Sequence, residues 1–360
     1  MKRNISILAG DGIGPEVTAE AVKVLDAIAD GFGHEFHYSN ALIGAAAIDA
    51  TGNPFPQATE DSCKAADAIL FGAIGDPKYD NDPNAKVRPE QGLLKMRKNL
   101  GLFANVRPVS SYDALLPISP LKEHIIKGTD FVVFRELTGG IYFGEPRGRS
   151  EDGQTAFDSC VYSKSEIERI THLAFKAAEN RRKNLTLVDK ANVLATSRLW
   201  RETVKDLSSQ YPEVELDFMF VDNAAMKIIQ NPTDFDVVLT ENMFGDIVTD
   251  EASVISGSLG LLPSASLGTK SSLFEPIHGS YPQAAGKGIA NPLGAILSAA
   301  MLLEYAFDLQ EESELIKDAV VKSLDSGYAT EDIQRENPNS TKEVGDFVVN
   351  QIKILRAVNA

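Results

Sequence analysis

The sequence predicts an α/β fold built around a largely parallel sheet. Near the start of the chain, short apolar runs alternate with segments in which apolar residues recur at helical spacing. This alternation is typical of parallel strands that are joined by helical crossovers. The chain has 360 residues, and single hydrophobic cores rarely grow beyond ~250–300 residues. We therefore expect two domains.

The first elements follow from simple patterns. Ile5–Leu8 is an apolar run typical of a buried strand, and Pro15 suits the first turn of the helix that follows. We expect further strands at His34–Ala41 and Ala68–Ala73, with a helix at Gln57–Ala66 between them. Together these segments form successive β-α-β steps.

The middle of the chain is less regular. Phe131–Phe134 predicts a strand, whereas residues 139–162 are rich in glycine and charge and lack helical periodicity, as expected of an extended hairpin or arm. A stretch rich in glycine, serine and proline begins at residue 257 and continues to about 294. The remaining elements are predicted as helices at 164–182, 197–209, 292–307, 311–326 and 341–356, and as strands at 185–189, 216–221 and 236–240.

Charge and cysteine content exclude several classes of protein. The formal net charge of −16 argues against a surface for nucleic acid or anionic membranes, where clustered lysine and arginine would be expected. Cys63 and Cys160, the only two cysteines, provide neither a metal-ligand spacing nor a disulfide framework. The apolar run Ile5–Ala9 is too short for a signal peptide, and no stretch approaches the ~20 apolar residues of a membrane helix. We expect a cytoplasmic protein that binds neither nucleic acid nor membranes.

The glycine cluster at residues 10–15, GDGIGP, raises the question of a nucleotide-binding loop. The dinucleotide fingerprint is G-x-G-x-x-G, followed about 20 residues later by an acidic residue at the end of the next strand. Here the glycines occupy positions 10, 12 and 14, and Glu35 lies at the beginning of the predicted strand. The spacing favours a tight turn, so a nucleotide is expected to bind elsewhere in the chain.

Several arginines point to an anionic substrate. One face of a predicted helix carries an acid, two leucines and an arginine at positions i, i+3, i+4 and i+7. These residues are Glu90, Leu93, Leu94 and Arg97. Taken alone, this pattern also fits an amphipathic helix with leucines in the core and solvated charges. Arg107 and Arg135 follow in segments that look like strands, and an arginine in a buried strand needs a partner. Three convergent arginines would suit a di- or tricarboxylate, because each guanidinium can hold a carboxylate bidentately.

Carboxylates near residue 246 suggest a metal site. Asp246 and Asp250 lie four residues apart, on one helical face, where like charges repel unless a cation compensates them. Asp222 follows the predicted strand Leu216–Val221. Carboxylates without a cysteine or histidine cluster favour Mg²⁺ or Mn²⁺ over Zn²⁺. Taken alone, Asp246 and Asp250 also fit acids near a helix start that are favoured by the helix dipole.

Three further features carry potential chemistry. Lys190 lies at the end of the predicted strand Leu185–Val188, and Tyr142 lies in the predicted arm. Either side chain could have a purely structural role. Residues 275–292 contain glycines, prolines, one histidine and one asparagine. A loop of this length in a compact domain tends to be functional.

Together, the motifs resemble the isocitrate/isopropylmalate family of β-decarboxylating dehydrogenases, along essentially the whole chain. The motifs that carry the resemblance are GDGIGPE, GLLKMRK, FANVRP, RELTGGIYFGEPRG, DKANVL, MFGDIVTDEAS, GSLGLLPSASLG and EPIHGSYPQAAGKGIANP. The resemblance implies a two-domain α/β fold distinct from the Rossmann type, with a mixed sheet, helices on both faces and a protruding β arm. It implies a cofactor-binding domain made of residues 1–102 and 257–360. Residues 103–256 would form the substrate and dimerisation domain, with the arm at about 139–162.

The resemblance also implies a role for individual residues. It implies NAD and Mg²⁺ or Mn²⁺ as cofactors, and a homodimer whose active sites are shared between subunits. Tyr142 and Lys190 match the catalytic pair, Lys190 being supplied by the partner subunit. The matching metal ligands are Asp246, Asp250 and, from the partner subunit, Asp222, which also contacts substrate. The matching substrate-binding residues are Arg97, Arg107, Arg135, Glu90, Leu93, Leu94 and Asn192. The matching cofactor-binding residues are Glu275, His278, Gly279, Ser280, Gln283 and Asn291.

Two of these positions bear on specificity. Leu93 and Leu94 offer apolar surface where relatives that act on isocitrate carry polar residues, so the resemblance implies a preference for 3-isopropylmalate. Gln283 occupies the position at which members that use NAD generally have an acidic residue for the ribose hydroxyls. NAD is still expected, with weaker discrimination against NADP.

The implied reaction is the NAD-dependent oxidative decarboxylation of (2R,3S)-3-isopropylmalate to 4-methyl-2-oxopentanoate and CO₂, in leucine biosynthesis. One alternative is a related enzyme that acts on D-malate, tartrate, isocitrate or homoisocitrate. Another is a non-catalytic regulatory subunit. Such a subunit is expected to lose members of the catalytic set, and here the whole set is present.

Overall fold

The computed structural model describes residues 1–81 and 85–359. Its strands are β1 (Lys2–Gly10), β2 (Glu35–Asn40), β3 (Ala68–Ala73), β4 (Leu102–Ser110), β5 (Asp130–Glu136), β6 (Gly148–Arg149), β7 (Ala156–Phe157), β8 (Asn184–Asp189), β9 (Glu215–Phe220), β10 (Val237–Thr240), β11 (Pro263–Gly268) and β12 (Ser272–Pro276). Its α-helices are α1 (Gly14–Phe32), α2 (Gly44–Thr51), α3 (Gln57–Ala65), α4 (Pro77–Asp80), α5 (Pro89–Leu100), α6 (Glu123–Ile126), α7 (Lys164–Glu179), α8 (Ala195–Ser208), α9 (Val221–Gln230), α10 (Asn242–Ala252), α11 (Leu293–Phe307), α12 (Gln310–Asp325) and α13 (Thr341–Asn359).

The chain divides into two compact units. The first unit contains residues 1–102, 112–115 and 257–360, and the second contains residues 103–111 and 116–256. Each unit contains its own set of adjacent strands and its own hydrophobic core. The predicted α/β class with a mixed sheet is confirmed.

In the first unit the strands lie in the order β2-β1-β3-β12-β11. The pairs β1–β2, β1–β3 and β3–β12 are parallel, and β11–β12 is antiparallel. Helix α11 is apolar around most of its circumference and is buried along most of its length. A helix of this composition belongs in the interior. It packs against α1, α12 and the strands β11 and β12.

The sequence patterns do not predict β11 and β12, which lie within the stretch rich in glycine, serine and proline. Strand β11 reads PSASLG and buries Ser264 and Ser266. Proline, alanine and glycine are rare in strands and the segment has no β-branched residue, so local propensity gives no signal. Pairing with β12, and of β12 with β3, provides the hydrogen bonds that make this segment a strand.

In the second unit the strands lie in the order β4-β5-β10-β8-β9. The pair β4–β5 is antiparallel, whereas β5, β10, β8 and β9 pair in parallel. Within the predicted arm, a short 3₁₀ turn at Gly140–Tyr142 precedes the exposed antiparallel hairpin β6–β7.

The parallel strands of the second unit bring polar side chains to one edge. The carboxyl ends of β5, β8 and β10 lead to Arg135, Lys190 and helix α10. Ligands in parallel α/β sheets bind at this edge. Across residues 1–81 and 85–359, no helix is both long and apolar enough to span a lipid bilayer.

Candidate active site

Arg135 is the most buried of the three predicted substrate-binding arginines. It lies near the end of β5 and is buried. The Oδ1 atom of Asn242 accepts hydrogen bonds from Arg135 Nε at 3.0 Å and from Nη2 at 2.8 Å. The Nη1 atom donates to Asp246 Oδ1 at 2.5 Å. The buried guanidinium is therefore held from two sides, as its burial requires.

Arg107 contacts the same face of α10. Its Nε donates to Asn105 Oδ1 at 2.8 Å, and its Nη1 donates to Thr249 Oγ1 at 2.7 Å. Arg107 Nη1 also lies 3.3 Å from Asp250 Oδ1, and Nη2 lies 3.9 Å from Asp246 Oδ1. The two arginines and the two aspartates of α10 thus form one cluster in the second unit.

Tyr142 completes this cluster. Its hydroxyl donates to Asp246 Oδ2 at 3.0 Å, and the Arg135 guanidinium lies 5.9 Å from the centre of its ring. Partial burial, together with the hydrogen bond to Asp246, raises the pKa of Tyr142 above its ordinary value. The phenol therefore keeps its proton at neutral pH. We refer to Arg107, Arg135, Tyr142, Asp246 and Asp250 as the arginine–aspartate cluster.

The aspartates of α10 suit a hard cation in their chemistry. Their side chains lie on one helical face and are 37% exposed at Asp246 and 74% exposed at Asp250. Oxygen donors of this kind are those that Mg²⁺ and Mn²⁺ prefer. Within the described part of the chain, no group of three or more histidine, cysteine, aspartate or glutamate side chains could hold a metal ion. Of the three predicted metal ligands, Asp246 and Asp250 therefore lie together on α10.

Asp222, the third predicted metal ligand, instead pairs with Lys190. Lys190 directly follows β8, and Asp222 lies in the first turn of α9, one residue beyond the strand end that the sequence predicted. Lys190 Nζ donates to Asp222 Oδ1 at 2.6 Å. This hydrogen bond lowers the pKa of the Asp222 carboxyl. Asn192 lies exposed in the turn that follows Lys190.

The predicted specificity helix belongs to the first unit. Arg97 lies near the end of α5, and its Nη2 donates to Glu275 Oε1 at 3.1 Å. Its Nε is buried and has no hydrogen-bond partner among the described residues. Leu93 packs against the core of this unit, whereas Leu94 is 49% exposed and Glu90 is exposed. The helix thus offers an arginine and one accessible leucine.

A cavity of about 810 Å³ lies in the first unit, beside the loop at 275–291. Of the predicted cofactor-binding residues, His278, Gly279 and Asn291 line it. Glu275 and Ser280 are buried nearby in sequence, and Gln283 is exposed in a 3₁₀ turn; none of the three lines the cavity. Burial lowers the pKa of His278, so its ring is neutral at pH 7. The His278 Nε2 atom is buried without a hydrogen-bond partner in the described residues.

Sequence patterns missed part of this cavity. The additional lining residues are Ile13, Ser258, Leu259, Gly260, Tyr281, Ile289, Ala290, Glu331, Asp332, Arg335 and Pro338. The loop between α12 and α13 contributes the last four, and Asp332 accepts a hydrogen bond from Asn291 Nδ2 at 3.0 Å. This loop lacks periodicity and spans residues 326–340. Only its length could have indicated a functional role, since loops of this size tend to be functional.

Known proteins resemble this chain along nearly its whole length. The family model described as isocitrate/isopropylmalate dehydrogenase matches residues 4–348. The 3-isopropylmalate dehydrogenase of Bacteroides fragilis is 57% identical over 355 residues, which cover 98% of this chain and 99% of that protein. The Bacillus subtilis enzyme of the same name is 54% identical over 353 residues, covering 97% and 96% of the two chains.

Solved structures agree with these sequence relatives. The isocitrate dehydrogenase of Methylococcus capsulatus aligns with a TM-score of 0.86 at 33% identity and covers 98% of this chain and 99% of that chain. A β-decarboxylating dehydrogenase from Thermococcus kodakarensis aligns with a TM-score of 0.84 at 33% identity and covers 99% and 98%.

The chain belongs to the isocitrate/isopropylmalate dehydrogenase family. It is therefore an enzyme of the oxidoreductase class that acts on a small molecule, and the family resemblance inferred from the motifs is confirmed. Members of this family depend in general on NAD and a divalent metal.

Proposed function

We propose that this chain catalyses the NAD-dependent oxidative decarboxylation of (2R,3S)-3-isopropylmalate to 4-methyl-2-oxopentanoate and CO₂, a step of leucine biosynthesis. The arginine–aspartate cluster carries this proposal, because it joins two anion-binding arginines, a protonated phenol and two carboxylates in one hydrogen-bonded group. The names of relatives that are 51–57% identical over nearly the whole chain support the same substrate.

Arginines would bind the carboxylates of the substrate. Arg135 and Arg107 are each oriented by a neutral amide, Asn242 and Asn105 respectively, and each guanidinium also contacts a carboxylate of α10. Fixed guanidinium planes favour bidentate recognition of carboxylates. We assign Arg97 of the first unit to the same substrate, with Asn192 beside the reacting end.

Lys190 and Tyr142 would move the protons. Lys190, through or beside Asp222, removes the proton of the C2 hydroxyl as C2 loses its hydride. The resulting 2-oxo acid has a carboxylate β to the new carbonyl, and loss of CO₂ leaves an enolate that Tyr142 protonates at C3. When bound, NAD would supply the hydride acceptor and the divalent cation would supply Lewis-acid polarisation of the substrate oxygens.

We further propose that two copies of the chain share their active sites. Within one chain, Lys190 and Asp222 form a pair of their own, and the three predicted metal ligands form no common group in the described residues. A second copy that supplies Lys190 and Asp222 would complete the set. Asp246 and Asp250 of one subunit, with Asp222 of the other, would hold Mg²⁺ or Mn²⁺.

The cavity beside the loop at 275–291 would hold the adenosine part of NAD. Its neutral histidine and the Asn291–Asp332 pair offer hydrogen-bonding groups in a partly apolar lining, as in many cofactor sites. We assign Glu275, Ser280 and Gln283 to the same cofactor, beside the cavity itself.

The leucines of α5 should make the enzyme prefer 3-isopropylmalate over isocitrate. We expect kcat/KM to be higher for 3-isopropylmalate by about 10²-fold or more, because an extra carboxylate against Leu94 would lose its hydration without gaining a partner. Initial rates of NADH formation with Mg²⁺ measure this ratio, with D-malate as a third substrate. A higher kcat/KM for isocitrate or D-malate would favour the alternative enzymes of the family.

Replacing Gln283 by aspartate should sharpen the preference for NAD. The new carboxylate would repel a ribose 2′-phosphate, so we expect kcat/KM for NADP to fall about tenfold and that for NAD to change little. Gln283 is exposed, so the fold should tolerate the change. The matched control is Gln283→Asn, which keeps the neutral amide. An unchanged NAD/NADP ratio in Gln283→Asp would place this residue outside the ribose site.

A further inference from the structure

The segment Gly10–Glu16, with the sequence GDGIGPE, lies beside the cavity assigned to NAD, and Ile13 is its one residue in the cavity lining. It connects β1 to α1, and its glycine spacing does not fit a dinucleotide loop. At Gly12, φ is +58°, and a Cβ atom there would lie 1.9 Å from the carbonyl oxygen of Ser280. Only glycine allows the two backbones to approach this closely. The segment therefore packs directly against the loop to which we assign cofactor binding.

Hydrogen bonds join the two segments at two places. The backbone N–H of Ile13 donates to the carbonyl oxygen of Ser280 at 2.8 Å. Further along, the carboxylate of Glu16 accepts from the backbone N–H groups of both Gly286 and Gly288, the second at 3.0 Å. Hydrogen bonds to an ionised acceptor are stronger than those between neutral groups.

These anchors lie at Ser280 and at residues 286–288, near the two ends of a largely exposed part of the loop. His278, Gly279 and Tyr281 line the cavity near the first anchor, and residues 289–291 line it just after the second. Gly286 and Gly288 adopt left-handed φ values of 74° and 64°, so side-chain sterics do little to define the backbone here. The carboxylate of Glu16 supplies a constraint that the loop sequence lacks.

We propose that Glu16 is a positioning residue for cofactor binding, because it holds the backbone at 286–288 in the shape that the bound cofactor requires. This inference rests on the proposed function, since it takes NAD as the occupant of the cavity. Ordering a loop upon binding costs free energy, and a loop that is already ordered avoids that cost.

Other contacts hold the far end of the same loop. Thr341, the first residue of α13, donates its N–H to Gly288 O at 2.9 Å and its hydroxyl to Ala290 O at 2.6 Å. Loss of Glu16 should therefore loosen the backbone around Gly286 while α13 and the core of the unit remain in place.

The test compares Glu16→Gln with Asp30→Asn. Asp30 is exposed on the same helix, and the control removes the same charge without touching the loop. In Glu16→Gln, one of the two backbone donors would face an amide N–H instead of a carboxylate oxygen. Two measurements on the full-length protein are needed, namely hydrogen–deuterium exchange without cofactor and fluorescence titration with NADH.

For Glu16→Gln we expect faster exchange in peptides that cover 284–288 and a Kd for NADH that is about tenfold higher. The KM for NAD should rise with it, whereas kcat, the KM for 3-isopropylmalate and Tm stay near those of the control. An unchanged Kd would overturn the proposal, whether or not exchange increases. If the unsubstituted protein binds no NADH, the proposed cofactor is wrong, and faster exchange would assign Glu16 to loop structure alone.

Discussion

Replacing Lys190 by methionine is expected to lower kcat by about 10²- to 10⁴-fold, the range that a general base typically contributes. Methionine keeps the length and most of the volume of the side chain but cannot accept the hydroxyl proton. The side chain of Lys190 is 27% exposed and that of Asp222 is 65% exposed, so loss of this ion pair should cost little stability. Stopped-flow and steady-state rates of NADH formation measure the effect.

Lys183→Met is the matched control for this variant. Lys183 precedes the same strand, β8, and forms an exposed ion pair with Glu213 at 2.5 Å. The control therefore loses a similar pair away from the proposed chemistry and should keep normal turnover. Near-normal kcat in Lys190→Met would remove Lys190 from the mechanism.

Replacing Tyr142 by phenylalanine is expected to lower kcat for the overall reaction by about 10²-fold or more, because the enolate would lose its proton donor. The ring and its position beside Arg135 are retained, and only the hydroxyl that contacts Asp246 at 3.0 Å is lost. If Tyr142 is the proton donor, hydride transfer in the variant should remain faster than formation of 4-methyl-2-oxopentanoate. Rapid-quench measurements of NADH and of this product would give the two rates separately.

A second tyrosine provides the control for Tyr142. The hydroxyl of Tyr38 donates to Asp26 Oδ1 at 2.8 Å in the first unit, so Tyr38→Phe also removes a tyrosine–aspartate hydrogen bond. Its turnover should match that of the unsubstituted enzyme. Equal losses in both variants would mean that the effect of Tyr142→Phe is structural.

Periodicity predicted most of the regular elements, because most helices and central strands bury a continuous apolar face. The predicted strand Ala68–Ala73 has the observed bounds, and the helices at 164–182 and 341–356 differ from those observed only near their ends. Strand β11 was not predicted because its residues have low β propensity, and pairing with β12 provides the hydrogen bonds that make it a strand.

The candidate site was predictable where its chemistry is concentrated in charged residues. An arginine in a buried strand requires a partner, and this requirement made Arg135 a candidate. The sequence did not indicate that Asn242 is the partner. Asn242 is an uncharged residue at the start of α10, 107 positions away in sequence. Likewise, Asp332 and Arg335 line the cavity because the fold brings two distant loops together.

We expect this chain to oxidise and decarboxylate 3-isopropylmalate. The most direct measurement is a product analysis of the purified protein with 3-isopropylmalate, NAD and Mg²⁺, in which NADH, CO₂ and the organic product are quantified in one sample. We predict NADH, CO₂ and 4-methyl-2-oxopentanoate in equal amounts, with no product when the cation is removed by a chelator. Formation of NADH without CO₂, or the absence of turnover with this substrate, would contradict the account.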